Sequence, residues 1–197
     1  MKDFPSFLQQ IQQHLQAAEL SWCLIGGLAV GARSEPRFTK DLDLAVATSS
    51  DQTSEELIFS LQGSGYRVLA ILEQQSTGRL ATVRLSPPEA REPVLIDLLF
   101  ASSGIEGSIA ARAQLLEVFP QLWVPVASLG DLVAMKVLAR DDQLRPQDRL
   151  DLQALLGRAS PSDLEAARHA LREISKLGYN RGRMLEDELA EFMASLS

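Results

Sequence analysis

The stretch that most constrains this chain is Asp41-Leu-Asp43-Leu-Ala-Val-Ala47, where two carboxylates stand two residues apart in an otherwise apolar run. Alternation with this period is the pattern of a β-strand, whose successive side chains leave opposite faces. Asp41 and Asp43 therefore share one face, and Leu42 and Leu44 share the other. Two carboxylates held so close repel each other unless something positive sits between them. A hard divalent cation, which prefers oxygen ligands, is the expected partner. The plain alternative is a strand edge with solvated acids, since Asp-x-Asp alone is common.

Two further features shift that balance. Trp22-Cys-Leu-Ile25 is a short apolar run that ends on Gly26-Gly27, and residues 28–32 suit a short helix before Pro36 interrupts. Glycines between a strand and a helix let the backbone approach a phosphate, and the helix N-terminus favours its negative charge. Asp97 interrupts Val94-Leu-Ile-Asp97-Leu-Leu-Phe100, where an unpaired charge would be costly. It either completes a metal site with Asp41 and Asp43 or is neutralised by a nearby arginine such as Arg84.

The remaining pattern predicts an α/β fold. Phe4, Leu8, Ile11 and Leu15 fall at helical spacing, and Ser50 or Asp51 caps a helix running to Leu61. Strands are expected over residues 66–72, 79–85 and 94–100, the last two joined by a hairpin near Pro87-Pro88. After Pro125 strand signals stop. Ser128-Leu-Gly-Asp131 opens an apolar helix to about Arg140, Pro146 starts another through Leu156, and Ser160-Pro-Ser-Asp163 starts a third. Leu185, Leu189 and Phe192 mark a last one. The expected architecture is a short mixed β-sheet core flanked by helices over residues 1–125, with a helical C-terminal region over residues 126–197.

Composition narrows the function classes. A formal net charge of −7 argues against broad nonspecific nucleic-acid binding, although Arg33, Arg37 and Lys40 cluster ahead of the acidic pair. That cluster is either a solvated loop or a guide for polyphosphate or an RNA end. Cys23 is the single cysteine, which excludes an intramolecular disulfide and a multi-cysteine metal site; a buried, inert thiol is expected. The sequence shows neither a secretory signal nor a run long enough to span a membrane, so a cytoplasmic protein without membrane partners is expected. His14 and His169 read as surface residues, and Trp22 and Trp123 as core.

The run Trp22-Cys-Leu-Ile-Gly-Gly-Leu-Ala-Val-Gly-Ala-Arg33, followed by Arg37-Phe-Thr39-Lys-Asp41-Leu-Asp43-Leu, resembles the signature of the DNA polymerase beta-like nucleotidyltransferase superfamily. That signature is a hydrophobic residue, Gly-Gly or Gly-Ser, a spacer of roughly ten residues, then Asp-hydrophobic-Asp/Glu-hydrophobic. Downstream, Val126-Ala-Ser-Leu-Gly-Asp131-Leu-Val-Ala-Met-Lys136-Val-Leu-Ala and Arg145-Pro-Gln-Asp148-Arg-Leu-Asp151-Leu resemble bacterial AbiEii-type and minimal nucleotidyltransferases.

The resemblance implies a Mg2+-dependent (or Mn2+-dependent) transfer of a nucleoside monophosphate from a nucleoside triphosphate to a hydroxyl. The implied acceptor is an RNA end, such as that of a tRNA, or a protein side chain, in a toxin–antitoxin or phage-defence setting with a cognate partner protein. Asp41, Asp43 and Asp97 would hold metal, with Asp97 also the base. Gly26, Gly27, Arg37, Thr39 and Lys136 would bind the nucleotide. Where many relatives carry serine, Gly27 offers only its backbone amide. Asp148 and Asp151 lie in a first helical turn and read as structural, tying Lys136 or Arg140 in place. The alternatives are an aminoglycoside-type small-molecule transferase and a weakly active nucleotide-binding or antitoxin-like module.

Overall fold

The computed structural model describes residues 4–36, 38–75, 77–88, 90, 94–141 and 146–196. The chain opens with α1 (Phe4–Ala17), whose Phe7, Leu8, Ile11 and Leu15 are buried as the helical spacing requires. It continues through β1 (Trp22–Ile25), α2 (Gly26–Arg33), β2 (Asp41–Val46), α3 (Asp51–Gly63), β3 (Arg67–Glu73), β4 (Leu80–Ser86) and β5 (Leu95–Leu99). Then come α4 (Glu106–Arg112), β6 (Gln114–Phe119), β7 (Leu122–Val126), α5 (Leu129–Ala139), α6 (Pro146–Leu156), α7 (Pro161–Lys176) and α8 (Leu185–Ala194).

One seven-stranded sheet has the order β3-β4-β5-β2-β1-β7-β6. Its mixed character is as expected: β2 runs parallel to β5 and β1 parallel to β7, while the other neighbours are antiparallel. Leu42, Leu44, Ile96 and Leu98, which alternate with the aspartates of β2 and β5, are fully buried. The alternation thus puts the aspartates of these two central strands on the face opposite the buried Leu42, Leu44, Ile96 and Leu98.

Two differences from the sequence expectation concern the sheet and the glycine turn. The sheet is larger than expected, because β6 and β7 add a hairpin and β7 runs through Pro125. Proline is tolerated there because the β1–β7 ladder is short, confined to Leu24 opposite Val126 and an Ala127 N–H that donates to the Leu24 carbonyl. By alternation the missing N–H of Pro125 points toward β1, beyond the single registered pair of that ladder. Trp22 is buried as expected, whereas Trp123, on this added hairpin, is exposed. The second difference is that α2 begins at Gly26 itself, with no intervening turn.

The C-terminal helices start where the capping residues stand. Ser128 accepts from the Asp131 amide, and Ser160 and Asp163 form a reciprocal capping box with Pro161 in the first turn. Helices α5 and α7 approach so closely at Gly130 that a β-carbon there would lie 2.6 Å from the Asp163 carbonyl oxygen. No helix among the described residues is long and apolar enough to cross a membrane.

Candidate active site

Strand register builds the site. Ile25 at the end of β1 stands opposite Asp43, Asp43 opposite Asp97 on β5, and Asp97 opposite Arg84 on β4. Laterally paired residues project from the same face, so Asp43, Asp97 and Arg84 form a row across the sheet, and Asp41 joins them two residues along β2. Helix α2 leaves this row abruptly, because Gly26 adopts φ +65°, a left-handed backbone that residues with a β-carbon rarely tolerate.

The environment of Asp43 is strongly perturbed. Burial, reinforced by the negative charge of Asp97, pushes its carboxyl up to about 6. Asp41 adds to the rise, while Lys136 and the backbone amide of Gly27 oppose it. A carboxylate in this position is short of positive charge. Thr39 meets Asp41 only through long contacts, 3.4 Å to its carbonyl oxygen and 3.5 Å to its amide.

Asp97 has found a cation. Arg84 donates Nε to Oδ1 at 2.8 Å and Nη2 to Oδ2 at 2.7 Å, a fork-on-carboxylate pair. The arginine partner considered from the sequence is therefore in place, and both oxygens of Asp97 are engaged. Among the described residues, no three His, Cys, Asp or Glu side chains come close enough together to hold a metal ion.

Lys136, on α5, is buried rather than extended to the surface. Its ammonium lies 2.6 Å from Asp148 Oδ1 and 2.8 Å from Asp151 Oδ2, both on α6. The structural reading of the two acids matches this geometry: they hold Lys136, which lines the same cavity as Asp41, Asp43 and Asp97. Asp148 Oδ2 is buried without a hydrogen-bond partner. Arg33 turns away from the site. It donates to the carbonyls of Val126 and Ala127 and to Gln114, pinning α2 to the end of β7. Lys40 is exposed beside the Phe38 ring, and Arg37 lies outside the described residues.

Two cavities meet at the carboxylate row. One, of about 440 Å³, is lined by Gly26, Gly27, Thr39, Asp41, Asp43, Asp97, Lys136 and Asp148. The other, of about 850 Å³, is lined by Thr82, Ser102, Arg140, Asp141, Arg181 and Arg183. Asp43, Arg84 and Asp97 border both. The arginines of the larger cavity are not evident from sequence. Arg140 lies at the C-terminus of α5, while Arg181 and Arg183 sit in the turn before α8, where no periodic pattern marks them.

Comparison with known proteins bears on the family and the fold. A family model described as the nucleotidyl transferase AbiEii toxin of a type IV toxin–antitoxin system matches residues 9–195. No curated protein matches the sequence. Among solved structures, an antigenic nucleotidyltransferase-like protein from Paracoccidioides brasiliensis aligns over 96% of this chain and 93% of its own, at 17% identity and TM-score 0.55. The solution structure of the antibiotic-resistance factor ANT(2'')-Ia aligns over 98% and 92%, at 19% identity and TM-score 0.51. The lincomycin-bound lincosamide antibiotic adenylyltransferase LnuA aligns over 77% and 96%, at 15% identity and TM-score 0.50. At these identities the likeness is one of fold.

Proposed function

The chain belongs to the nucleotidyl transferase AbiEii toxin family, and we propose that it transfers a nucleoside monophosphate from a nucleoside triphosphate to a hydroxyl acceptor. The observation that carries this reading is the pairing of Asp43 with Asp97 on adjacent strands, with Asp43 against the left-handed backbone of Gly26.

The donor set fits a divalent cation, magnesium or manganese, at Asp41 and Asp43. Both offer hard carboxylate oxygens from one strand face, and Asp43 is raised first by burial and then by the charge of Asp97, both of which disfavour a bare carboxylate that a cation would stabilise. Asp97 becomes available to a cation only when Arg84 leaves it. A bound cation supplies Lewis acidity that draws charge off the triphosphate oxygens.

The chain's own residues do the rest. Gly26 and Gly27 let backbone approach the triphosphate at the start of α2. Lys136, held by Asp148 and Asp151, presents a fixed positive charge to the phosphates. Thr39 and Arg37 lead into the acidic strand and contact the nucleotide. Asp97 takes the proton from the acceptor hydroxyl as its oxygen bonds to the α-phosphorus. The bond from that phosphorus to the bridging oxygen breaks, and pyrophosphate leaves.

The acceptor in this proposal is an RNA end, such as that of a tRNA, or a protein side chain, and the toxin–antitoxin setting of the family implies a cognate partner protein. One observation favours a second reading, a nucleotide-binding module with little catalysis: Arg84 occupies both oxygens of the residue assigned as base. The test is incubation with labelled nucleoside triphosphates, magnesium and a total RNA pool. Label transfer that disappears in Asp41→Ala and Asp43→Ala supports the transferase; tight magnesium–nucleotide binding without transfer favours the module.

A further inference from the structure

We propose that Arg84 is the resident counter-cation of Asp97, so that the free chain binds divalent metal through Asp41 and Asp43 alone, and Asp97 joins only when a triphosphate draws the guanidinium off. This rests on the nucleotidyltransferase reading of the same site.

The pair is built into the sheet. Arg84 and Asp97 face each other across the antiparallel β4–β5 ladder, so the fork meets the carboxylate without any loop having to close. Among the described residues Arg84 is the donor to both Asp97 oxygens. The Lys136 ammonium, the other cation on the Asp41 side, is already shared between Asp148 and Asp151. Carboxylates paired on adjacent strands need positive charge, and in the free chain Arg84 provides it at Asp97.

The comparison with Arg112 and Asp131 separates a latch from a fixed strut. Both arginines are 42% exposed at the side chain and form two hydrogen bonds to an aspartate. Asp131, however, is also held by the Ser128 hydroxyl in the cap of α5, where exchange would dismantle a helix start. Asp97 has no such second anchor among the described residues. The Arg84 guanidinium also borders both cavities, so it can turn without crossing packed core.

Exchange keeps charge in balance. A phosphate accepts a guanidinium fork as readily as a carboxylate does. When the fork moves to the triphosphate, Asp97 loses a single positive charge and gains a share of a divalent one. Arg84 is thereby a positioning residue: it holds the third carboxylate in reserve and couples its release to the arrival of substrate.

The test is Mn2+ binding to the full-length chain, read from the spectroscopic signal of free Mn2+, with and without a triphosphate analogue blocked at the α–β bridge. The wild-type chain is expected to bind one Mn2+ alone and two with the analogue. Arg84→Met is expected to bind the second Mn2+ without analogue, at least about tenfold more tightly than wild type. Arg84→Lys, which keeps the charge but not the fork, falls between and serves if Arg84→Met does not fold. Asp97→Asn removes the second site in every background. Wild-type affinity and stoichiometry in both Arg84 variants would overturn the inference, as would two Mn2+ ions on the free wild-type chain. Absence of any Mn2+ site sensitive to Asp41→Ala would instead sink the underlying functional reading, so the two failures are distinguishable.

Discussion

A β-carbon added to Gly26 would fall 1.9 Å from Asp43 Oδ2. The first residue of α2 and the second carboxylate of β2 thus occupy complementary space, and the glycine is needed for steric room as much as for its φ of +65°. Gly26→Ala is expected to cost about 1 kcal/mol in backbone strain and to displace Asp43. A displacement near 1 Å in such a site lowers activity by about 100-fold. Thermal unfolding and label transfer measured on the same preparation check both parts; an unchanged transfer rate would contradict the packing described.

Lys136 with its two acids is a buried charge cluster. Removing a single partner of a buried pair costs about 3–5 kcal/mol. Lys136→Met strands two carboxylates and is expected to reach that range in chemical denaturation. Asp148→Asn leaves the 2.8 Å contact with Asp151 and is expected to be milder. Equal losses in the two variants would show that the acids do not share the ammonium.

The capping box of α7 gives a pH-dependent test. Hydrogen bonds from the Ser160 side chain and then its backbone hold Asp163 below the usual carboxylate range. A depressed folded-state value contributes stability that is fully present above the unfolded value and is lost as pH falls through the folded one. Ser160→Ala is expected to cost about 1 kcal/mol at neutral pH and to flatten this acid limb of the stability profile. An acid limb identical to wild type would count against the capping assignment.

Cys23 sits fully buried in β1, and burial, with Asp131 adding to it, pushes its thiol up to about 12. The thiolate is the reactive form. The native chain is therefore expected to resist alkylation at pH 8 and to label fully once denatured, as measured by intact mass. Rapid native labelling would place the thiol elsewhere.

Much of the site is legible in the sequence because its chemistry violates a local pattern. Asp41 and Asp43 alternate with leucines, so period marks the polar face of β2, whereas Asp97 is marked only as a single charge in an apolar strand. Strands β3, β4 and β5 lie within a residue of expectation at each end for the same reason of period. The hairpin β6–β7 is not legible. Gln114–Phe119 lacks alternation in burial, and Pro125 reads as a strand breaker, whereas its tolerance depends on a single ladder contact with β1. The fork between Arg84 and Asp97 is visible in the sequence only as one of two options. Alternation places both on polar strand faces, but register decides that they are neighbours. Arg33 shows the converse: its place ahead of the acidic pair leaves a solvated loop and a polyphosphate or RNA guide equally open, while its hydrogen bonds tie it to carbonyls at the end of β7.

The most direct test of the proposed transfer couples product to by-product. The chain is incubated with a nucleoside triphosphate labelled on the α-phosphate, magnesium and total RNA, and both transferred label and pyrophosphate are counted. Equal amounts of the two are expected from the wild-type chain and neither from Asp43→Ala. Pyrophosphate without transferred label, or transfer that survives Asp43→Ala, would contradict the two-carboxylate mechanism.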